Sequence, residues 1–253
     1  MHEVIQQGSE SNSVFQKLFK SVYKGCNKVI IHSEHGKEML DRVGYRGEMF
    51  EIPHFRYCED SSYNIDSIKE DVKSAFLDTK TNLLFFGNIT YNKGIDILID
   101  FYRKLSPNIK DKLHLVIAGN SIDGKLEGID IKQNEGISVI NRHIADDEMK
   151  YLFLKSSFVL LPYRITYQSG VLEMAFNYRK PVIVSDIPYF KSVISEYNSF
   201  GRVMNFNSNS AEVELSEILQ CDKALFFSAI ELDHYYNQKI VNKFHDWILS
   251  MIR

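Results

Sequence analysis

The chain has 253 residues, 44% of them apolar and 25% charged, with a formal net charge of −3. These proportions suit a soluble globular protein with a full core, in one large domain or two small ones, and give no reason to expect nucleic acid as a partner. The residues around Met1 show no basic segment leading into an apolar one, and no run approaches about 18 apolar residues, so neither a signal peptide nor a membrane span is expected.

The three cysteines (Cys26, Cys58 and Cys221) are far apart, odd in number and outside any C-x-x-C spacing. That predicts reduced thiols in a cytoplasmic protein, with no disulfide framework and no zinc site. In chain order, Val14 to Lys24 has helical period, with Phe15, Leu18, Phe19 and Val22 in one sector and Lys17, Lys20 and Lys24 opposite. Such a basic amphipathic helix can lie on an anionic membrane surface at the inner face, although a solvated lysine face on a domain helix is the commoner use. Lys28 to His32 reads as a short strand, Glu34 to Arg42 as a helix, and Glu48 to Ile52 as a strand that ends at Pro53. Residues 56 to 66 (RYCEDSSYNID) are polar and turn-rich and read as a linker.

Beyond it, strands and helices alternate. Asn82 to Gly87 is a buried strand; Gly94 to Leu105 is a helix with Ile95, Leu98, Ile99 and Tyr102 on one face. His114 to Gly119 and Gly136 to Ile140 are strands, Asp146 to Leu154 a helix, Phe158 to Leu161 a strand, Gly170 to Tyr178 a helix and Pro181 to Ser185 a strand. Apolar strands alternating with helices predict an α/β fold with a parallel sheet covered on both faces. The chain closes with an expected amphipathic helix from Asp233 to Arg253. Its Ile240, Phe244, Trp247 and Met251 stripe should be buried, packed back toward the N-terminal segment.

A parallel sheet of this kind binds ligands at the carboxyl ends of its strands. After Phe86 comes Gly87-Asn88-Ile89-Thr90-Tyr91-Asn92-Lys93-Gly94. A glycine at a strand end and a Lys-Gly pair at a helix start suit an anion, because free N–H groups, the helix dipole and the ammonium would point at one place. The glycines are too close for a Walker A loop, and no Ser or Thr follows Lys-Gly to hold magnesium. A solvated surface lysine is the plain alternative. A second candidate follows Leu161, where Ser169 and Gly170 open a helix, so that their backbone N–H groups could cap it or bind phosphate. Glu173 lies about one turn in, placed either to hold a ribose or to act as a capping-box partner of Ser169. No G-x-G-x-x-G follows a strand, which counts against a Rossmann dehydrogenase. The remaining histidines show no ligand spacing.

The strings FFGNITYNKGIDILI, HLVIAGNS and LLPYRITYQSGVLEMAFNYRKPVIVSDIPYF, in this order and spacing, resemble family-4 glycosyltransferases of the GT-B fold. KVIIHSEHGKEML with FEIPHFRY resembles the closing strands and hinge of that family's N-terminal domain, and MHEVIQQG the loop that brings a histidine to the donor sugar. The resemblance implies retaining transfer of a sugar from a nucleoside-diphosphate sugar to a glycan or lipid-linked acceptor, in cell-surface polysaccharide synthesis. It implies no cofactor and no essential metal. Residues 1–57 would be a remnant of the acceptor-side Rossmann-like domain, 58–232 the nucleotide-sugar-binding Rossmann-like domain, and 233–253 a crossover helix.

By the same resemblance Lys93 would neutralise the departing diphosphate, and Ser169, Gly170 and Val171 would donate backbone N–H groups to it. Glu173 would bind the ribose and His2 would contact the donor sugar as the catalytic histidine. The sequence departs from the family at Asn88, where an arginine is usual, so that Arg164 becomes the candidate substitute. It departs again at Ile165, where the first of two glutamates falls. Because the resemblance begins part-way into the N-terminal domain, the competing expectation is a shortened, non-catalytic chain that binds nucleotide weakly or serves a partner that complements its N-terminal domain.

Overall fold

The computed structural model describes residues 17, 21–32, 34–52, 62–124, 126–132, 135–222 and 225–252. Contacts divide the chain into two compact units. One comprises Met1–Phe55, Tyr167–Ser169 and Leu232–Arg253, the other Arg56–Thr166 and Gly170–Glu231.

In the smaller unit, a helical turn over 21–24 leads to β1 (Lys28–Ile31), α1 (Glu34–Arg42) and β2 (Glu48–Glu51). β1 and β2 pair in parallel, Ile30 opposite Phe50, as a strand–helix–strand crossover requires. Tyr23, Ile31, Leu40 and Tyr45 form the core of this unit. Most of the expected Val14 to Lys24 helix lies outside the described residues. Within the part that is described, Tyr23 is buried and Val22 is exposed, so the apolar sector read from the sequence does not extend to Val22.

The last segment departs from the continuous helix expected for it. A short α-helix, α9 (Ala229–Asp233), passes into a π-helical stretch over His234–Asn242 and then into α10 (Lys243–Ile252). The i→i+5 bonding of the π stretch widens each turn, which puts a stripe spaced for 3.6 residues out of phase. Ile240 is accordingly buried, Phe244 and Trp247 are half-buried against each other with ring centroids 5.5 Å apart, and Met251 is exposed. Lys28 Nζ donates to Ser250 O at 3.4 Å and Lys243 pairs with Glu51 at 3.7 Å, which ties α10 to the β1–β2 pair.

The larger unit is built on a six-stranded, all-parallel sheet. Its strands are β3 (Thr81–Phe86), β4 (Leu113–Gly119), β5 (Ile137–Asn141), β6 (Phe158–Leu161), β7 (Val182–Ser185) and β8 (Gly201–Met204). The order across the sheet is β5-β4-β3-β6-β7-β8. The central strands read TNLLFF, LHLVIAG and FVLL and are buried almost throughout, as strands covered on both faces must be. The covering helices are α2 (Glu70–Lys73), α3 (Ile95–Lys104), α4 (Pro107–Lys110), α5 (Asp146–Lys155), α6 (Gly170–Asn177), α7 (Pro188–Glu196) and α8 (Ala211–Gln220).

Helix α3 buries Ile95, Leu98, Ile99 and Tyr102, the face its period predicts, against Leu83, Phe85, Leu115 and Ile117 of β3 and β4. Full burial of aliphatic side chains of this size contributes about 1.5–3 kcal/mol each. Opposite, Phe153 of α5 stacks on Tyr178 and meets Phe86 edge-on. The order runs outward from β3 in one direction and from β6 in the other, so the crossovers reverse between these two strands. In a doubly wound sheet that reversal opens a crevice at the carboxyl ends of the two central strands.

Candidate functional site

Two loops meet at this crevice: Gly87 to Gly94 after β3, and Pro162 to Thr166 after β6. Gly87 has φ +101°, a conformation that side-chain-bearing residues rarely adopt, and there is little room above it. A Cβ on Gly87 would lie 3.0 Å from Lys93 Nζ and 3.3 Å from Val171 Cγ2. Three features chosen from separate parts of the sequence therefore converge: the glycine ending β3, the ammonium of Lys93, and the first turn of α6.

Lys93 ends a 3-10 turn over Tyr91–Lys93, directly before Gly94, the N-cap of α3. Its N–H donates to Thr90 O and that of Gly94 to Tyr91 O. The ammonium itself lies 5.5 Å from the centroid of the buried Tyr163 ring and makes no ion pair among the described residues. A half-exposed cation over an aromatic face, without a carboxylate partner, is available to an anion.

The first turn of α6 supplies the other half of the cradle. Gly170 and Val171 open the helix, so their N–H groups have no acceptor one turn back. Neither amide donates to another group among the described residues. Ser169, just before the helix, is buried; Glu173, one turn in, is 3% exposed. Asn88 is exposed and carries no charge, and Ile165 is exposed as well. His2 lies outside the described residues.

Arg164, the candidate substitute for the missing cation, is engaged within the protein. Its guanidinium grips Asp96 with two bonds of 2.8 and 2.7 Å, donates to Tyr91 O at 2.7 Å, and stacks 4.0 Å from the Tyr91 ring centroid. Its hydrogen bonds to Asp96 hold that carboxyl below its ordinary pKa and raise that of the guanidinium. Sequence reasoning could not find this pair, because nothing local marks Asp96 as the partner of a residue 68 positions away.

A second charged network stiffens the neighbouring strand ends. Arg142, directly after β5, donates to both Glu148 oxygens at 2.7 Å and to both Asp71 oxygens at 2.9 and 2.8 Å, while its own N–H bonds to Gly119 O. Glu148 also accepts from Ala145 N–H, so it caps α5 from within. Among the described residues no group of three or more His, Cys, Asp or Glu could hold a metal ion, and no helix is long and apolar enough to cross a membrane. Cys26 and Cys221 are free thiols.

Residues 80–214, a little over half of the chain, match the family model described as "Glycosyl transferases group 1". The chain belongs to that family. No curated protein matches this sequence. Among solved structures it is similar to the sucrose-phosphate synthase of Thermosynechococcus elongatus, at 15% identity and a TM-score of 0.69 over 98% of this chain and 64% of that one. It is also similar to WaaG, a glycosyltransferase involved in lipopolysaccharide biosynthesis, at 21% identity and a TM-score of 0.62 over 90% and 64% of the two chains. Anabaena HepE, solved in complex with UDP-glucose, shares 13% identity with a TM-score of 0.69 over 99% and 70%. The chain therefore spans about two thirds of the length of these structures. At such identities the likeness establishes the fold, a Rossmann-like parallel-sheet unit of the GT-B type.

Proposed function

We propose that this glycosyltransferase chain binds the donor of a retaining, family-4 type sugar transfer: a nucleoside-diphosphate sugar whose diphosphate lies between Lys93 and the amino end of α6. The observation that carries the reading is the convergence of Lys93 Nζ, Gly87 and Val171 at the reversal point of the sheet. Lys93 neutralises charge on the departing diphosphate, and the Gly170 and Val171 amides donate to the same group. Glu173 is assigned to the ribose, and His2 to the donor sugar, by resemblance. The acceptor is a glycan or lipid-linked glycan in cell-surface polysaccharide synthesis, with the protein in the cytoplasm or peripheral at the inner face of the membrane. No step in this scheme calls for a metal.

Calorimetry with UDP, GDP and ADP and their sugar conjugates identifies the donor. Lys93→Ala should then weaken binding of the diphosphate by ~1.5–3 kcal/mol, the range for a charge-assisted hydrogen bond, and leave the bare nucleoside unchanged. Equal losses for nucleoside and diphosphate would sink the assignment.

One observation favours a second reading, a subunit that binds nucleotide weakly without transferring sugar. Asn88 is neutral and Arg164 is committed to Asp96, so the diphosphate loses a second charged donor, a deficit that typically costs ~10²–10³ in rate. Assaying the purified chain with its best-binding donor and a lipid-linked acceptor, with and without the N-terminal domain of an intact relative, separates the two. Turnover by the isolated chain would rule out the second reading.

A further inference from the structure

The Lys93 stem is long and flexible, and fixing such a side chain costs rotamer entropy. A diphosphate site that relies on one ammonium gains from having the backbone beneath it immobilised before the ligand arrives. The turn that carries Lys93 is bolted to the β6 loop at one residue. Arg164 N–H donates to Asn92 O at 2.8 Å, its guanidinium donates to Tyr91 O at 2.7 Å, and its plane covers the Tyr91 ring. The same guanidinium holds Asp96 bidentately on the far side of Lys93. Arg164 thus grips the chain on both sides of Lys93.

Gly94 makes this grip possible. It is left-handed at φ +68°, and a Cβ there would stand 2.1 Å from Pro162 O, so only glycine lets the turn approach the β6 loop this closely.

We infer that Arg164 is a positioning residue for the proposed diphosphate site, acting through Lys93 by fixing the 91–94 turn above Gly87 and the start of α6. This rests on the reading of Lys93 given under Proposed function. As a stabilising ion pair Arg164–Asp96 is unremarkable, since its side chains are 24% and 39% exposed and pairs this open contribute little to folding. Its geometry, two bonds to one carboxylate and a third to the turn itself, specifies orientation, and a lysine cannot reproduce that fork.

The test is a double-mutant cycle on UDP, GDP or ADP affinity, whichever the chain binds, read by calorimetry for the wild type, Arg164→Ala, Lys93→Ala and the double variant. Arg164→Ala should weaken diphosphate binding roughly fivefold to tenfold on its own, and less than twofold once Lys93 is already alanine, because residues acting through one another are not additive. Arg164→Lys should not restore affinity. In the free protein, amide exchange at Lys93 and Gly94 should accelerate in Arg164→Ala while that of Leu115 in β4 stays unchanged.

Additive losses, full rescue by lysine, or unchanged exchange at Lys93 and Gly94 would each overturn the inference and leave the diphosphate reading intact. An unaltered affinity in Lys93→Ala, or no binding of any of the three diphosphates, would bring down that reading and the inference with it.

Discussion

Replacing Glu148 with glutamine probes the network that holds the strand ends beside the site. Glu148 is 1% exposed, receives two 2.7 Å bonds from Arg142 and accepts a third from Ala145 N–H. The Arg142 guanidinium, bonding to it directly, brings its carboxyl from 4.5 down to about 2, against the opposing effect of burial. A displacement of that size corresponds to ~3 kcal/mol of folding stability at neutral pH.

Because the folded-state value is depressed, the contribution is complete above about pH 5 and is lost as pH falls from the unfolded value toward about 2. By about pH 3.5 roughly 1.4 kcal/mol of it should be gone. The glutamine variant keeps the shape but not the charge, and Arg142 retains Asp71. Urea unfolding at several pH values between about 3.5 and 7 should therefore show Glu148→Gln less stable by ~3 kcal/mol at neutral pH, with the gap narrowing by more than 1 kcal/mol at the acid end. A gap that stays constant with pH would show that the ionised carboxylate is not what stabilises the fold here. A neutral-pH gap below about 0.5 kcal/mol would refute the attribution altogether.

Two further outcomes follow from backbone geometry. Gly94→Ala should destabilise the chain by at least ~1–2 kcal/mol in urea unfolding, the cost of placing a side chain in the left-handed region, with the clash against Pro162 O added. Diphosphate binding should weaken in parallel, and a variant of wild-type stability would contradict the close approach. Arg179 ends α6 at φ +51°, with its N–H on Phe176 O and that of Lys180 on Ala175 O, a helix stop that favours glycine. Arg179→Gly should raise the urea midpoint, by ~0.5–1 kcal/mol in stability, and a lower midpoint would mean that the arginine side chain contributes more than its backbone strain costs.

The elements that sequence periodicity could place are those whose burial is repeated along contiguous residues. TNLLFF, LHLVIAG and FVLL are apolar without a break because helices cover both faces, and α3 shows its Ile95–Leu98–Ile99–Tyr102 face in the sequence itself. Where the signal was short or mixed it failed. The four-residue edge strand β8 carries Arg202 in its middle, α7 and α8 went unplaced, and the π-helical stretch near Ile240 broke a stripe that read as continuous.

By itself the sequence determined that this is a parallel α/β chain, and it singled out the loops after β3 and β6, with Lys93, Gly170 and Glu173, as candidates for a site. Only the tertiary structure decided which of those loops meet. Setting β3 beside β6 brings Gly87, Lys93 and Val171 to one point, and the same neighbouring loops deliver Arg164 to Asp96. The physical reason is range. Hydrophobic period is written in adjacent residues, whereas the partner of a charged side chain is set by strand order, which no local pattern encodes.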